Sequence, residues 1–340
     1  MTFAGIGCAK RLFTHIDAHS VGEVLALLDR YGEKAQVNAG GTDLMTVLKG
    51  DICPVYPEAI INLKTICGLD TIRYSEGVLR IGAMANLADI ASDAQVCSLT
   101  PALAAAAEAV ASPQIRNIAT LGGNLCQDTR CWYYRYPAHL NGGVALMCPR
   151  KGSGACLAVT GDNRYHAIFD AKRCFAVCPS DTAVALAALH ASLVLEGTGG
   201  ERRVLVQEFY HPLGNVMDKH EILTGIEIPI AAARNYQSFH KYAQRKAIDF
   251  ALCSACGVLK IDNEVCAEGT ISLGAVAPGP HCIDISEQIA GHRLTPELIE
   301  KVADYSLLGA RPLKMNEYKI QIAKTLTKDV LYDILRKISK

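Results

Sequence analysis

The chain has 340 residues, of which 34 are basic, 34 acidic and 14 cysteine, and half are apolar. The zero net charge argues against a nucleic-acid or acidic-membrane binder, because such proteins carry a basic excess that neutralises phosphates. Half the residues being apolar is ample for a buried core in one large domain or two to three smaller ones, and it argues against disorder.

The first stretch reads as alternating helix and strand. Ser20 is placed to cap a helix whose apolar residues Val21, Val24, Leu25 and Leu28 recur at helical spacing, and Gly32 is placed to end it. A strand over 35–38 leads through Gly40 and Gly41 into a helix start at 42–45. A second strand is expected over 59–63, then a hairpin over 71–83 with Glu76 and Gly77 as its turn. Helices are expected over 87–94 and 101–110, followed by a second glycine turn at 120–124. Residues 127–178 lack periodicity. Regular structure resumes with a helix over 181–190, a hairpin of 192–196 with 203–206, and a strand over 222–229. An antiparallel meander (239–243, 252–261, 266–276) and two helices follow, the first capped by Thr295 with Pro296 at its first position. The second is expected over 317–338. The fold class is therefore α+β, with one part over 1–231 and a smaller antiparallel-sheet-plus-helices domain over 232–340.

Residues 182–195 are the longest weakly polar stretch and are too short to cross a bilayer. The first fifteen residues lack the apolar segment of a secretory signal, so a cytoplasmic protein without a membrane span is expected. In that setting the cysteines suit reduced thiols or metal ligation better than a disulfide scaffold. Six of them (Cys126, Cys131, Cys148, Cys156, Cys174, Cys178) crowd into residues 126–178, where even spacing would put about two. The other eight (Cys8, Cys53, Cys67, Cys97, Cys253, Cys256, Cys266, Cys282) sit among apolar neighbours and read as core.

Cys131, Cys148, Cys156 and Cys174 are separated by 16, 7 and 17 residues. Four thiolates on a loop without regular structure are the ligand set of an all-cysteine zinc site or of an iron–sulfur cluster, and spacing alone names neither the metal nor which four of the six would ligate. Neither glycine turn matches a Rossmann or P-loop fingerprint. Together, however, two Gly-Gly turns at strand ends, with Thr42 and Thr120 beside them, can hold a diphosphate from two sides through backbone N–H groups. FAD is the simplest redox ligand with that demand.

The motifs AGGTDL (39–44), SPQIRNIATLGGNLCQDTRC (112–131), PSDTAVAL (179–186), EILTGIEIP (221–229) and FHKYAQRKAIDFA (239–251) resemble the FAD-binding medium subunit of the molybdenum hydroxylases, the family of xanthine dehydrogenase and carbon monoxide dehydrogenase. The resemblance implies a two-part FAD-binding domain of the vanillyl-alcohol-oxidase-like type, followed by the smaller C-terminal domain. It places the FAD diphosphate between Val37, Asn38, Ala39, Gly40, Gly41, Thr42, Asp43 and Leu44 on one side and Thr120, Leu121, Gly122, Gly123 and Asn124 on the other. Asp181, Leu223 and Lys241 match positions that contact the flavin nucleotide. Each also has a plainer reading: a carboxylate favoured in the first turn of a helix, a core leucine, and a solvated strand lysine.

The inserted loop at 127–178 is similar to the one in 4-hydroxybenzoyl-CoA reductases and in a group of bacterial aldehyde oxidoreductases, where it holds a [4Fe-4S] cluster. Matching TRC, MC, GAC and KRC to those subunits implies Cys131, Cys148, Cys156 and Cys174 as ligands, with Cys126 and Cys178 spare. The longer stretch between Cys156 and Cys174, with CPRKGSGAC, CPSDTAVA and FYHPLG, favours the aldehyde oxidoreductase subgroup. The resemblance further implies a heterotrimer with a large molybdopterin subunit, where substrate is hydroxylated, and a small subunit with two [2Fe-2S] clusters. Electrons would pass through FAD to an external acceptor (NAD, ferredoxin or a quinone-linked protein), and no catalytic acid or base for the organic substrate is expected on this chain. The rivals are a 4-hydroxybenzoyl-CoA reductase-like subunit with inward electron flow, and a zinc-stapled, non-enzymatic interaction subunit.

Overall fold

The computed structural model describes residues 12–53, 55–230 and 235–339; Cys8 and the expected boundary near residue 232 lie outside them. Strands β1 (Thr14–Asp17), β2 (Ala35–Asn38) and β3 (Ala59–Asn62) form a parallel sheet in the order β1-β3-β2. The central strand is buried along its whole AIIN length, the pattern expected of a strand flanked on both sides in a parallel sheet. Helix α1 (Val21–Tyr31) joins β1 to β2: Ser20 accepts the Glu23 N–H, Val24, Leu25 and Leu28 face the core, and Gly32 ends the helix at φ +54°. Helix α2 (Leu44–Lys49) follows β2 through the first glycine turn.

Strands β4 (Ile72–Ser75) and β5 (Val78–Gly82) make the expected hairpin, with Glu76 and Gly77 both at positive φ. Five helices follow: α3 (Leu87–Ser92), α4 (Ala94–Leu99), α5 (Pro101–Glu108), α6 (Pro113–Arg116) and α7 (Leu121–Cys126). After the cysteine loop come α8 (Asp181–Ala188), β6 (Ser192–Gly197), β7 (Gly200–Leu205), α9 (Val206–Phe209), the small hairpin of β8 (Tyr210–His211) with β9 (Gly214–Asn215), and β10 (Glu221–Pro229). An antiparallel sheet in the order β4-β5-β10-β6-β7 results, and its apolar face (Leu79, Ile81, Leu193, Leu195, Ile226) packs on α5 and α8. All eight residues of α8 are buried, which fits a helix apolar on every side.

A second antiparallel sheet contains β11 (Asn235–Tyr242), β12 (Cys253–Asp262), β13 (Val265–Gly274) and β14 (His281–Asp284) in sequence order. It is covered by α10 (Ser286–Ile289), α11 (Pro296–Tyr305) and α12 (Tyr318–Ile338). Ile168 and Phe169 of the cysteine loop belong to this core, so the loop's second half is docked on the C-terminal sheet.

The expected helix over 87–94 is instead two helices, because the Asp93 carboxylate accepts the N–H groups of Gln95 and Val96 and caps a new one. Residues 120–124 are the cap and first turn of α7 rather than a free turn. The short elements β1, α6 and β14 carry too few residues for a periodic signal. Cys253, Cys256 and Cys266 are core as expected and Cys53 and Cys282 are half-buried, but Cys67 and Cys97 are exposed. Their apolar sequence neighbours face inward while they do not. Among the described residues, no helix is long and apolar enough to cross a membrane.

Candidate cofactor site

The two glycine segments meet. A Cβ on Gly40 would lie 2.4 Å from the Ile118 carbonyl oxygen and 2.9 Å from Ala119 Cα, so only glycine permits this approach. From the other side, a Cβ on Gly123 would be 3.7 Å from the Ala39 methyl. Gly41 turns the chain at φ +74°. Among the described residues, the N–H groups of Gly40, Gly41, Thr42 and Asp43 meet no protein acceptor. Four successive N–H groups left open in a glycine turn suit an anionic ligand.

The second segment differs from expectation. Its N–H groups are already committed: Leu121 to Ala85 O at 2.9 Å, Gly122 to Ala83 O at 2.8 Å, Gly123 to Thr120 Oγ1 at 3.1 Å and Asn124 to Thr120 O at 2.9 Å. Residues 121–124 therefore present no open backbone donors of the kind found at 40–43, because the Ala85 and Ala83 carbonyls and the Thr120 cap of α7 take them, and Gly122 is packed against Ala83. What this segment offers is close, Cβ-free approach. The Asn124 carboxamide oxygen, buried, accepts from Ser180 Oγ (2.6 Å) and Thr182 Oγ1 (2.7 Å), which fixes α7 to the start of α8.

Asp181 opens α8 beside its cap, Ser180, which accepts the Ala183 N–H at 3.0 Å. Its carboxylate pairs with Lys241 of β11 at 2.7 Å, their side chains being only 6% and 11% exposed. Burial raises the Asp181 carboxyl above the usual range, and the Lys241 ammonium partly offsets that. Lys241 also donates to Ala109 O at 2.9 Å, so it is a buried, paired cation and not the solvated strand residue of the plainer reading. Leu223 is buried in the main core opposite Leu195, at an irregularity in β10 where Thr224 O accepts the Ala83 N–H.

Asp181 also lines a cavity of about 370 Å³ walled by Arg130, Cys131, His166, Phe250 and Ser254. Three buried polar atoms of those walls have no partner: Arg130 Nε, His166 Nδ1 and Ser254 Oγ. Unpartnered polar groups lining a half-open pocket suit a polar ligand. The Arg130 guanidinium stacks 4.4 Å over Phe250, and burial pulls its pKa down to about 10. A larger hollow of about 600 Å³ by the β12–β13 turn shares no residue with either glycine segment or with the cysteine loop.

The loop thiols share one electrostatic neighbourhood. Burial drives Cys131 up to about 11, the N–H groups of Tyr134 and Tyr133 oppose this, and the neighbouring Cys174 and Cys148 add to it. Cys148 is likewise raised by burial, opposed by the Arg150 N–H, and raised further by Cys174 and Cys156. The Ala176 N–H donates to Cys174 Sγ at 3.5 Å. Cys126 and Cys178 are pushed up to about 12 and 11 by burial, and both act on Tyr210 instead. Among the described residues, no group of three or more His, Cys, Asp or Glu side chains is drawn together tightly enough to hold a metal ion. The expected set Cys131, Cys148, Cys156 and Cys174 is therefore not drawn together as a metal site, although Cys131 feels Cys174 and Cys148, and Cys148 feels Cys174 and Cys156.

The loop is latched to the first glycine turn. Asp43, at the start of α2, pairs with Arg130 at 3.0 Å and Arg135 at 2.9 Å, and its second oxygen accepts the Asp128 N–H at 3.2 Å. Beneath this, Val47 and Ile52 pack on Tyr134 and Cys148, with Cys53 and Cys131 at the edge. The Asp43 carboxylate is therefore engaged with the loop, while, among the described residues, the N–H groups of residues 40–43 stay open.

Residues 11–231 match the family described as FAD binding domain in molybdopterin dehydrogenase, and 238–334 match the CO dehydrogenase flavoprotein C-terminal domain. The chain belongs to the FAD-binding medium subunits of the molybdenum hydroxylases. It is similar to the aldehyde oxidoreductase FAD-binding subunit PaoB of Escherichia coli (strain K12), 32% identical over 87% of this chain and 90% of that one. The fold is that of quinoline 2-oxidoreductase from Pseudomonas putida 86 (TM-score 0.74, 24% identity, 96% and 98% covered). It is equally that of carbon monoxide dehydrogenase from Hydrogenophaga pseudoflava (0.73, 24%, 95% and 96%). The α+β reading, an FAD-binding domain followed by a C-terminal antiparallel-sheet domain, holds for this medium subunit.

Several residues of the medium subunit's site escaped sequence reasoning. Arg130 and Arg135 bracket the cysteine in TRCWYYR, but nothing local pairs them with Asp43, 87 and 92 residues upstream. His166 reaches Cys131 Sγ at 3.3 Å, and Asn163 and Asn316 pin its surroundings: Asn316 Nδ2 donates to His166 O at 2.9 Å, and Asn163 Oδ1 accepts the Met315 N–H at 2.9 Å. Polar residues on an aperiodic loop carry no signal of such partners.

Proposed function

We propose that this medium subunit binds FAD with its diphosphate against residues 37–44 and 120–124, and a [4Fe-4S] cluster on Cys131, Cys148, Cys156 and Cys174. It would serve as the electron-transfer subunit of a heterotrimer that oxidises aldehydes to carboxylic acids. The observation that carries the flavin assignment is the run of open N–H groups at Gly40–Asp43 packed against the second glycine segment. The nearby cavity with its three orphaned polar atoms and Asp181 in its wall supports it. FAD, when bound, takes up electrons singly and releases them singly or as a pair. The chain's own part is to orient and tune: the turn's N–H groups meet the diphosphate, and the buried Asp181–Lys241 pair fixes local charge at the cavity, with Leu223 in the main core.

For the cluster, the support is the chemistry of the donors and not a closed site. Four thiols lie in one electrostatic neighbourhood, and backbone N–H groups already aim at three of the sulfurs, as cluster thiolates require. The cluster would supply one-electron exchange. The aldehyde reading rests on the similarity to PaoB. Partners on this reading are a large molybdopterin subunit, a small [2Fe-2S] subunit and an external acceptor. Counting iron, FAD and molybdenum in the purified complex tests the cofactor set, since a medium subunit with flavin but no iron beyond that of the small subunit removes the cluster. Assays with an aromatic aldehyde and with 4-hydroxybenzoyl-CoA test the substrate, and turnover of the thioester alone overturns the aldehyde reading.

A further inference from the structure

Of the four proposed ligands, Cys131 alone among the described residues meets a side-chain nitrogen: His166 Nε2 stands 3.3 Å from its sulfur. The imidazole is packed in place, although its Nδ1 meets no partner among the described residues. It is buried at 3% exposure and its ring meets Trp132 edge-on at 5.9 Å and Tyr133 at 6.0 Å. Its backbone is held by Asn163 and Asn316, the latter entirely buried at the foot of α12. A free thiol can donate its proton to Nε2, but a thiolate bound to iron has none and can only accept. With iron bound, the contact requires the proton on Nε2, and the ring becomes a fixed N–H donor to one corner of the cluster. Hydrogen bonds to ligand sulfur stabilise the more negative, reduced state and raise the potential. Both Cys131 and His166 line the cavity that contains Asp181, so this is the corner facing the proposed flavin site.

We infer that His166 is a positioning and tuning residue for the cluster, donating from Nε2 to Cys131 Sγ and holding the cluster's potential above what the backbone donors alone would give. The inference rests on the cluster assignment. It is tested on the heterotrimer by redox titration of the cluster, followed by electron paramagnetic resonance, in wild type, His166→Phe and His166→Gln. The expected result is a midpoint displaced to more negative potential in His166→Phe, with four irons retained on the subunit, and recovery toward wild type in His166→Gln, whose amide can donate. An unchanged midpoint in an iron-replete His166→Phe overturns it. Should that variant lose its iron, wild-type protein labelled with [15N]histidine decides: a weak nitrogen hyperfine coupling on the reduced cluster supports the hydrogen bond, and its absence refutes it. Wild type without cluster iron is a different outcome, which defeats the cofactor assignment itself.

Discussion

Replacing Lys241 with Met strips the buried Asp181 carboxylate of its partner, 2.7 Å away, at a site where the acid's side chain is 6% exposed. Removing one member of a buried pair usually costs about 3–5 kcal/mol, because the remaining charge is uncompensated. Here the acid has an escape, protonation, which bounds the cost. Keeping a carboxyl whose ordinary value is 3.8 neutral at pH 7 costs about 4 kcal/mol, at about 1.4 kcal/mol per pH unit. At pH 5 the same route costs about 1.6 kcal/mol. The sign follows from burial raising the folded-state value of Asp181. Such a group gives stability that is complete below its unfolded value and is lost as pH rises through the folded one, and removing Lys241 moves that folded value higher still. Lys241→Met is therefore expected to destabilise the flavin-stripped subunit by about 3–4 kcal/mol at pH 7 and by about half that at pH 5. Urea unfolding at the two pH values measures it. The double variant Asp181→Asn, Lys241→Met should recover stability at pH 7 and lose the pH dependence. An equal loss at both pH values would refute the buried-pair argument.

Three further outcomes are expected. Gly40→Ala places a methyl 2.4 Å from a backbone oxygen that cannot step aside, so the glycine segments must part and bound flavin, read by absorbance after ultrafiltration, should fall at least about tenfold; Gly123→Ala, whose nearest clash is the Thr120 hydroxyl at 3.0 Å, should cost about 1 kcal/mol through the α7 cap. Cys131→Ser or Cys156→Ser should release cluster iron, whereas Cys178→Ser, whose thiol neighbours Tyr210, should not, and equal iron loss in all three would show the ligand set to be wrong. Asn316→Ala removes the donor to His166 O and Ala167 O and the acceptor for the Leu313 N–H, so it should destabilise by roughly 2–4 kcal/mol and speed amide exchange at residues 166–168.

Much of the fold was legible because its signals are local. Ser20, Gly32, Thr295 and Pro296 mark helix ends through hydrogen bonds within one turn, and the alternation around Glu76 and Gly77 defines a hairpin. The expected glycine turn at 120–124 became a helix because Thr120 caps it and Ala83 and Ala85 accept its N–H groups, and those partners come from a strand end some 35 residues earlier. The crowding of six cysteines was legible, but their sorting was not: Cys126 and Cys178 act on Tyr210, while Cys131 feels Cys174 and Cys148, and Cys148 feels Cys174 and Cys156.

By itself, the sequence determined the medium-subunit family, the glycine segments and the cysteine-rich insertion, since each is written in contiguous residues whose chemistry does not depend on distant partners. Only the tertiary structure decided what those residues are spent on. Asp43 goes to Arg130 and Arg135, Asp181 to Lys241, and His166 to Cys131, at separations of 35 to 92 residues. Buried charges and donors must be satisfied within about 3 Å, and which groups come that close is set by how the sheets and the loop pack, a condition that no local pattern encodes.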